Sequence, residues 1–390
     1  MPQDERKHRE CEVLARSAPF KSTGERVPMS DHPRDLARRR RHFYQRRWFR
    51  WPVGGMLVVA IVTLIAFNLS PRPGAFIIKR VFEQDSNQVK AALEAHAPTA
   101  GISTITNEQY RSGDCDALLD VYFPETTGAG ERLPVLVWTH GGAWISGSKD
   151  DVAPYFEIIA SEGFAVVALN YSLGPDATYP TAVHQINDAL AYIQQQADRF
   201  HADVNRVVMA GDSAGAQLTS QIAALITNPE YAAELGIVPA LQPDQLRGVI
   251  LNCGIYDMAT FRDHSKIPMT FLADLLVWGT DTSMWAYTGS RDTNTTATRQ
   301  MSIIDHITAD FPATWITGGN GDPLTDEQSK PFADRLSGLG VKVTTLFYPE
   351  DHQPQLPHEY QFNLDTADGQ KALQSMLAFL RERTAVAAAM

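Results

Sequence analysis

The chain has 390 residues, of which 44% are hydrophobic and 20% are charged. These proportions are ordinary for a globular protein, so they exclude a chain that is disordered throughout. The net charge of −11 is unevenly divided: residues 1–50 carry 14 Lys and Arg against 7 Asp and Glu, whereas the rest carries 20 against 38. A basic N-terminal segment joined to an acidic body predicts that the two meet different surroundings.

An uncharged segment, Trp51–Pro71, directly follows the basic cluster Arg34–Arg50. As a helix its 21 residues would be about 30 Å long, the thickness of a bilayer's hydrocarbon core. The arginines in front of it predict a cytoplasmic N-terminus and an exported remainder. We therefore interpret residues 1–50 as a basic cytoplasmic tail and residues 51–71 as a single transmembrane signal anchor in the cell membrane. A cleaved signal peptide is the alternative, and the position of the basic cluster against an apolar segment argues against nucleic acid as its partner.

Residues 72–99 are interpreted as a linker, after which strand-like and helix-like segments alternate. The strand-like runs are almost continuously apolar, which is typical of strands covered on both faces; they are 133–140, 163–171, 204–211, 246–253, 313–319 and 341–349. Strands alternating with amphipathic helices predict an α/β domain over residues 100–390, with a mostly parallel sheet and helices on both faces. Residues 258–308 interrupt the alternation and are interpreted as an insertion.

The segment "VNRVVMAGDSAGAQLTS", residues 204–220, places Ser213 between an apolar strand and a helix-like stretch. A strand that turns at once into a helix brings neighbouring backbones close together, and Gly211 and Gly215 leave room for that approach. The serine then lies in an exposed, strained turn at a helix N-terminus, which is typical of a catalytic nucleophile. A tight turn without catalytic meaning is the alternative, because a glycine-x-serine-x-glycine pattern also arises by chance.

A second motif, His140-Gly141-Gly142, follows a predicted strand 73 residues before the serine. Two consecutive glycines let the main chain approach a substrate with its N–H groups turned inward, where they stabilise a tetrahedral oxyanion. Ala214, directly after the serine, offers a further N–H group. A strand-terminating turn with a structural histidine is the alternative for this motif.

Taken in chain order, "HGGAW", "GDSAG", "GNGDPL" and "HEYQF" make residues 114–383 resemble the α/β-hydrolase superfamily, in its branch of esterases and lipases with an HGG motif. The resemblance implies an α/β-hydrolase fold with a small helical cap inserted after the sixth strand. It also implies Ser213 as nucleophile, with Gly141, Gly142 and Ala214 as oxyanion donors. The acid and the histidine of a triad are expected later in the chain, in that order.

The acid that best matches this pattern is Asp322 in "GNGDPL"; Asp326 is the alternative, although it suits a helix N-terminus. Two histidines compete for the role of base. His352 lies nearer the preceding strand, whereas His358 in "PHEYQF" better matches the family's histidine ahead of the last helix, and we favour His358. No spacing of His and Cys suggests a metal site, and the reaction needs no cofactor.

These residues predict a serine carboxylesterase that works through an acyl-enzyme. The resemblance implies short-chain or acetyl-type esters of small molecules or carbohydrates as its substrates. An amide-cleaving hydrolase of the same fold and a membrane-tethered binding protein without activity are the alternatives. Apolar side chains of the insertion are candidates for the wall of an acyl pocket, with simple packing as the alternative: Phe271, Leu272, Leu275, Leu276, Trp278, Trp285 and Tyr287. The sequence leaves open the oligomeric state and whether Cys115 and Cys253 form a bridge.

Overall fold

The computed structural model of the protein describes residues 47–263 and 271–386. The chain divides into two compact units, residues 1–73 and residues 74–390. The described part of the first unit is dominated by helix α1 (Arg47–Leu69), which contains most of the uncharged segment. Residues 1–46 of the predicted tail lie outside the described residues.

Among the described residues, no helix by itself is both long enough and apolar enough to cross a membrane. Val53–Leu69 and the next helix, α2 (Arg72–Glu94), reach that length and composition only when they are counted together. The signal anchor therefore stays a prediction.

The described part of the second unit contains one sheet of eight strands. In chain order the strands are β1 (Ile102–Gln109), β2 (Leu118–Pro124), β3 (Leu133–Thr139), β4 (Ala165–Leu169), β5 (Ala202–Asp212), β6 (Leu246–Asn252), β7 (Thr314–Gly318) and β8 (Val343–Phe347). The helices after α2 are α3 (Ala153–Ser161), α4 (Thr181–Gln195), α5 (Ala214–Thr227), α6 (Pro229–Leu235), α7 (Met258–Phe261), α8 (Phe271–Thr288), α9 (Thr296–Met301), α10 (Lys330–Gly338) and α11 (Ala367–Thr384).

The strands lie side by side in the order β1-β2-β4-β3-β5-β6-β7-β8. β1 and β2, and β2 and β4, pair antiparallel, while all the remaining neighbours are parallel. The predicted mostly parallel sheet is thus confirmed. The sequence pattern did not reveal β1 or β2. Asp120 interrupts the apolar run of β2, and the structure buries it as the partner of Lys149, with 2.8 Å between Oδ2 and Nζ.

Both faces of the central strands are buried, whereas the edge strand β1 is partly exposed. Alternate residues of β3 point to opposite sides: Val135 and Val137 belong to one hydrophobic cluster, Leu136 and Trp138 to another. Burial on both faces explains why the sequences of the central strands are almost continuously apolar. As in other sheets of this kind, the loops that follow the carboxyl ends of the strands are where a ligand is expected.

The prediction of a linker over residues 72–99 is wrong, because α2 occupies most of it. The residues of α2 that contact the rest of the second unit recur every three or four positions, as an amphipathic helix requires: Ala75, Ile78, Phe82, Ser86, Val89 and Leu93. Charged and amide side chains between these positions obscured the period in the sequence.

The interruption after β6 is a helical insertion, as predicted. Its described part consists of α7, α8, α9 and a short 3-10 helix, Ile303–Asp305. Residues 264–270 of this insertion lie outside the described residues.

Candidate active site

Ser213 occupies the turn between the end of β5 and the start of α5. Its backbone has φ 50° and ψ −120°, a conformation that residues with a side chain rarely adopt and that costs of order 1–3 kcal/mol. The Ser213 N–H donates to the carbonyl oxygen of Asn252 at the end of β6, at 2.8 Å. This bond to the neighbouring strand helps to hold the strained turn.

The two glycines beside the serine are required by close backbone contacts. A Cβ on Gly215 would lie 2.1 Å from the carbonyl oxygen of Thr139, and one on Gly211 would lie 2.4 Å from the carbonyl oxygen of Gly215. These distances are far below van der Waals contact. The contact between Gly215 and Thr139 also brings the start of α5 directly against the end of β3, where the HGG loop begins.

Asp322 and His358 lie side by side, in the loops that follow β7 and β8. The carboxylate Oδ2 of Asp322 is 2.7 Å from His358 Nδ1, and its Oδ1 accepts a hydrogen bond from the N–H of Leu324 at 3.0 Å. Asp322 is buried. Burial opposes the charged form of His358, but the hydrogen bonds with Asp322 and Cys253 and the charge of Asp322 outweigh it, so the net pKa of the imidazole is raised.

The alternative candidates have other partners. His352 Nε2 lies 3.0 Å from Oδ2 of Asp368, a residue of α11. Asp326 is exposed and pairs with Lys330 one helical turn later. The structure therefore places Asp322 against His358 and not against His352.

The HGG loop differs from the sequence-based assignment at one residue. The N–H of Gly141 donates to Oδ2 of Asp212 at 2.8 Å, so it is engaged within the protein instead of being available to a substrate. In the described part of the chain the N–H groups of Gly142, Ala143 and Ala214 have no acceptor. Ala143 was not predicted as a donor. Its φ of 52° follows the φ of 96° at Gly142, so two consecutive residues of the loop have a positive φ, which only the fold reveals.

His140 itself is buried and stacks on the ring of Tyr171, with 4.4 Å between ring centroids. Burial lowers its pKa to about 4, so the ring is neutral at ordinary pH. Its Nδ1 lies 2.8 Å from the carbonyl oxygen of Gly141, so the ring helps to hold the HGG loop.

A cavity of about 330 Å³ brings these groups together. Ser213, His358, Gly141 and Gly142 all line it, and α2 supplies part of the wall through Phe82 and Val89, among others. In the described part of the chain, none of the insertion's proposed pocket residues lines this cavity. Tyr287 instead stacks on Trp144, Leu275 and Leu276 are exposed, and the side chains of Phe271 and Leu272 lie outside the described residues.

Cys253, at the end of β6, is a free and buried thiol, so it forms no bridge with Cys115. Burial raises its pKa to about 11, which keeps it protonated. Potential ligand atoms of Cys253, Asp322 and His358 lie within 4.8 Å of one another, a grouping that sequence spacing did not suggest. The hydrogen bond between Asp322 and His358 accounts for the proximity of those two groups.

A strained serine after β5, an acid after β7 and a histidine after β8 on a mostly parallel sheet define an α/β hydrolase. Residues 119–336, more than half of the chain, match the family model BD-FAE, and the chain belongs to this family. The resemblance inferred from the motifs is thereby confirmed.

Relatives and solved structures agree with this assignment. The chain is 26% identical over 249 residues to Esterase LipQ of Mycobacterium tuberculosis, which is 62% of this chain and 54% of LipQ. It is 25% identical over 257 residues to an esterase of Gibberella moniliformis, 65% of this chain and 76% of the relative. The chain spans about half the length of the Mycobacterium tuberculosis relatives it matches. Esterase B from Lactobacillus rhamnosis superposes with a TM-score of 0.67 at 19% identity, over 80% of this chain and 96% of that one, a likeness that establishes the fold.

Proposed function

We propose that this chain is a serine carboxylesterase that uses Ser213 as nucleophile, His358 as base and Asp322 as the acid that orients it. One observation carries the proposal. A serine in a strained turn, a histidine paired with the buried Asp322, and a loop with unengaged N–H groups all line one cavity. Relatives named as esterases support the same reaction class.

In this mechanism His358 accepts the proton of Ser213 as the serine attacks an ester carbonyl. Asp322 keeps the proton of the imidazole on Nδ1, so that Nε2 is free to accept, and it stabilises the imidazolium that forms. The N–H groups of Gly142, Ala143 and Ala214 stabilise the oxyanion of the tetrahedral intermediate. The alcohol leaves with the proton returned by His358, and water then releases the acyl group by the same steps in reverse order.

The size of the cavity favours short-chain or acetyl-type esters, of either a small molecule or a carbohydrate. At about 330 Å³ it is near the lower end of the range for small-molecule sites. Its wall mixes the apolar Phe82 and Val89 with the polar Ser86 and Asp85.

We also propose that the chain is anchored by the uncharged segment 51–71, with the catalytic domain on the outer side of the cell membrane. The basic cluster and the absence of charge over that segment support this arrangement.

The test uses the full-length chain and p-nitrophenyl esters of increasing acyl length. Ser213→Ala and His358→Ala are each expected to lower kcat by about 10⁶-fold, as for other serine hydrolase triads. His352→Ala is the matched control, and its kcat should stay near that of the wild type. A folded wild-type chain that hydrolyses none of these esters, or a Ser213→Ala variant that keeps full activity, would overturn the proposal.

A further inference from the structure

Glu359, the residue after the proposed base, lines the catalytic cavity and has no part in the mechanism above. Its backbone is left-handed, with φ 59°, an unusual conformation for a residue with a side chain. Its carboxyl Oε1 lies 3.8 Å from Nε2 of His358, the nitrogen that would take the proton of the nucleophile. A carboxyl group at that distance interacts electrostatically with the imidazolium form of the base.

Asp212, the residue before the proposed nucleophile, joins two parts of the site. Its Oδ1 accepts a hydrogen bond from Trp138 Nε1 at 2.7 Å, and its Oδ2 accepts the N–H of Gly141 in the HGG loop at 2.8 Å. Asp212 is also hydrogen-bonded to the carboxyl group of Glu359. A single methyl group placed on Gly141 would touch Oδ2 of Asp212 and Oε1 of Glu359, so the two carboxyls and the loop meet at one point.

Asp212 is buried and the side chain of Glu359 is 30% exposed, and two carboxyl groups in contact in such a place retain a proton between them. Burial raises the pKa of Asp212, and the nearby Glu359 raises it further; burial is also the main cause that raises the pKa of Glu359. Both oxygens of Asp212 already accept N–H hydrogen bonds, which favour its ionised form. We therefore assign the shared proton to Glu359, whose O–H donates to Asp212.

We propose that the Asp212–Glu359 carboxyl pair is a positioning device that holds the base loop against the nucleophile turn and the HGG loop through one shared proton. This inference rests on the proposed function, because it assigns a role around Ser213 and His358. Asp212 is covalently next to Ser213 and holds Gly141, while Glu359 is covalently next to His358. One hydrogen bond between the pair thus fixes three catalytic loops relative to one another.

The pair makes activity depend on pH in a defined direction. The titratable groups that face Glu359 are His358, Asp212, Asp322, Asp151 and Asp85 of α2, with Cys253 beside His358. Burial and the charges of Asp85 and Asp322 raise the pKa of Glu359, whereas an imidazolium at His358 lowers it, and the net pKa is raised. The hydrogen bond is therefore present at low pH and is lost as pH rises through the raised pKa, when the two carboxylates repel each other. An ionised Glu359 would also attract the Nε2 proton of the imidazolium away from the leaving group.

The experiment measures kcat and KM against pH for the full-length chain with p-nitrophenyl acetate, for Glu359→Gln and Glu359→Ala. Gln keeps an N–H donor to Asp212 at every pH and cannot ionise. We expect Glu359→Ala to lower kcat by about 10²-fold, the usual effect of slightly misplacing a catalytic group, with KM changed less than kcat. Glu359→Gln should recover most of that kcat and should lack the alkaline-side fall of the wild type. Glu350→Ala, which removes an exposed glutamate of the same loop, is the matched control.

A second readout does not depend on turnover. The proton NMR resonance of the His358 Nδ1–H, which donates to Asp322, should be kept in Glu359→Gln and shifted or broadened in Glu359→Ala. Wild-type kcat and pH profile in Glu359→Ala would overturn the inference, and so would equal losses in the two variants. If Glu359→Ala does not fold, the Gln variant decides alone, because an unchanged alkaline fall in it overturns the shared-proton role.

Ser213→Ala in the same assay separates the two proposals. Full activity in Ser213→Ala contradicts the proposed function itself. An inactive Ser213→Ala together with a fully active Glu359→Ala contradicts only the role of the carboxyl pair.

Discussion

Replacing Asp322 by Asn changes one atom of the proposed triad and leaves its geometry in place. Oδ1 of Asp322 accepts the N–H of Leu324, while Oδ2 faces Nδ1 of His358. Asparagine has a single side-chain oxygen, and the fixed N–H of Leu324 draws that oxygen to the Oδ1 position. The NH₂ group then faces Nδ1, which becomes an acceptor, so the proton of the imidazole moves to Nε2. That is the nitrogen that must accept the proton of Ser213.

The expected loss in kcat for Asp322→Asn is about 10⁴-fold, the magnitude found when a triad histidine is held in the wrong tautomer. This factor corresponds to about 5.5 kcal/mol of transition-state stabilisation. Because the side chain of Asp322 is 2% exposed, solvent does little to replace the missing charge. KM should change much less than kcat, since Asp322 does not line the cavity.

The assay is the steady-state hydrolysis of p-nitrophenyl acetate by the full-length chain. Asp368→Asn makes the same chemical change at the partner of His352, whose pair is partly exposed, and should alter kcat by no more than about threefold. A kcat within tenfold of the wild type for Asp322→Asn would refute the tautomer argument. An equally large loss for Asp368→Asn would show that His352 shares the work.

Three further predictions concern stability. Gly215→Ala places a Cβ 2.1 Å from the carbonyl oxygen of Thr139, so the free energy of unfolding in urea should fall by about 1–3 kcal/mol or more. Lys149→Met leaves Asp120 buried without its cation and should lower the same quantity by about 3–5 kcal/mol. Burial lowers the pKa of His140 to about 4 in the folded state, against an ordinary value of 6.5, so the unfolded state takes up this proton first as pH falls. That contribution to stability is complete above pH 6.5 and is lost between pH 6.5 and 4, by about 3 kcal/mol; His140→Phe, which keeps an aromatic ring on Tyr171, should flatten this dependence.

Each of these has a control. Gly279→Ala in α8 meets no atom within 4 Å and should leave stability unchanged or slightly higher, as expected for Ala in a helix. If Gly215→Ala behaves like Gly279→Ala, the close-contact argument is wrong. Adding Asp120→Asn to Lys149→Met removes the stranded charge and should recover part of the loss; no recovery would contradict the buried-charge explanation. For the His140 prediction, the control His184→Phe replaces an exposed histidine. This variant should keep the wild-type slope of stability against pH between pH 6.5 and 4.

The central strands and the strand-to-helix turn at Ser213 were predictable because the sequence patterns that indicate them are local. A strand buried on both faces is apolar at every position, and a sharp strand-to-helix turn requires glycine within two residues of its centre. The edge of the sheet was less predictable: β2 carries Asp120 in the core, and the ion pair that permits this is made by a residue 29 positions away.

The parts of the site that the sequence did not reveal depend on contacts between distant segments. Gly141 was expected to donate to a substrate, but its N–H is taken by Asp212, 71 residues later. No local pattern places Cys253 beside His358 or Glu359 beside Asp212. The choice between His352 and His358 also needed the fold, because both lie in the same loop and only their acidic partners distinguish them.

Several residues that line the cavity lie outside the segment that matches the family. This segment covers residues 119–336, whereas α2 precedes it and His358, Glu359 and Phe362 follow it. The proposed nucleophile and the proposed oxyanion loop thus belong to the segment that matches the family, and the flanking segments supply much of the cavity wall. Changes in the segments before residue 119 and after residue 336 can therefore alter the substrate preference while the reaction stays the same. A chimera that exchanges α2 with that of another family member would be expected to transfer selectivity without rebuilding the catalytic centre.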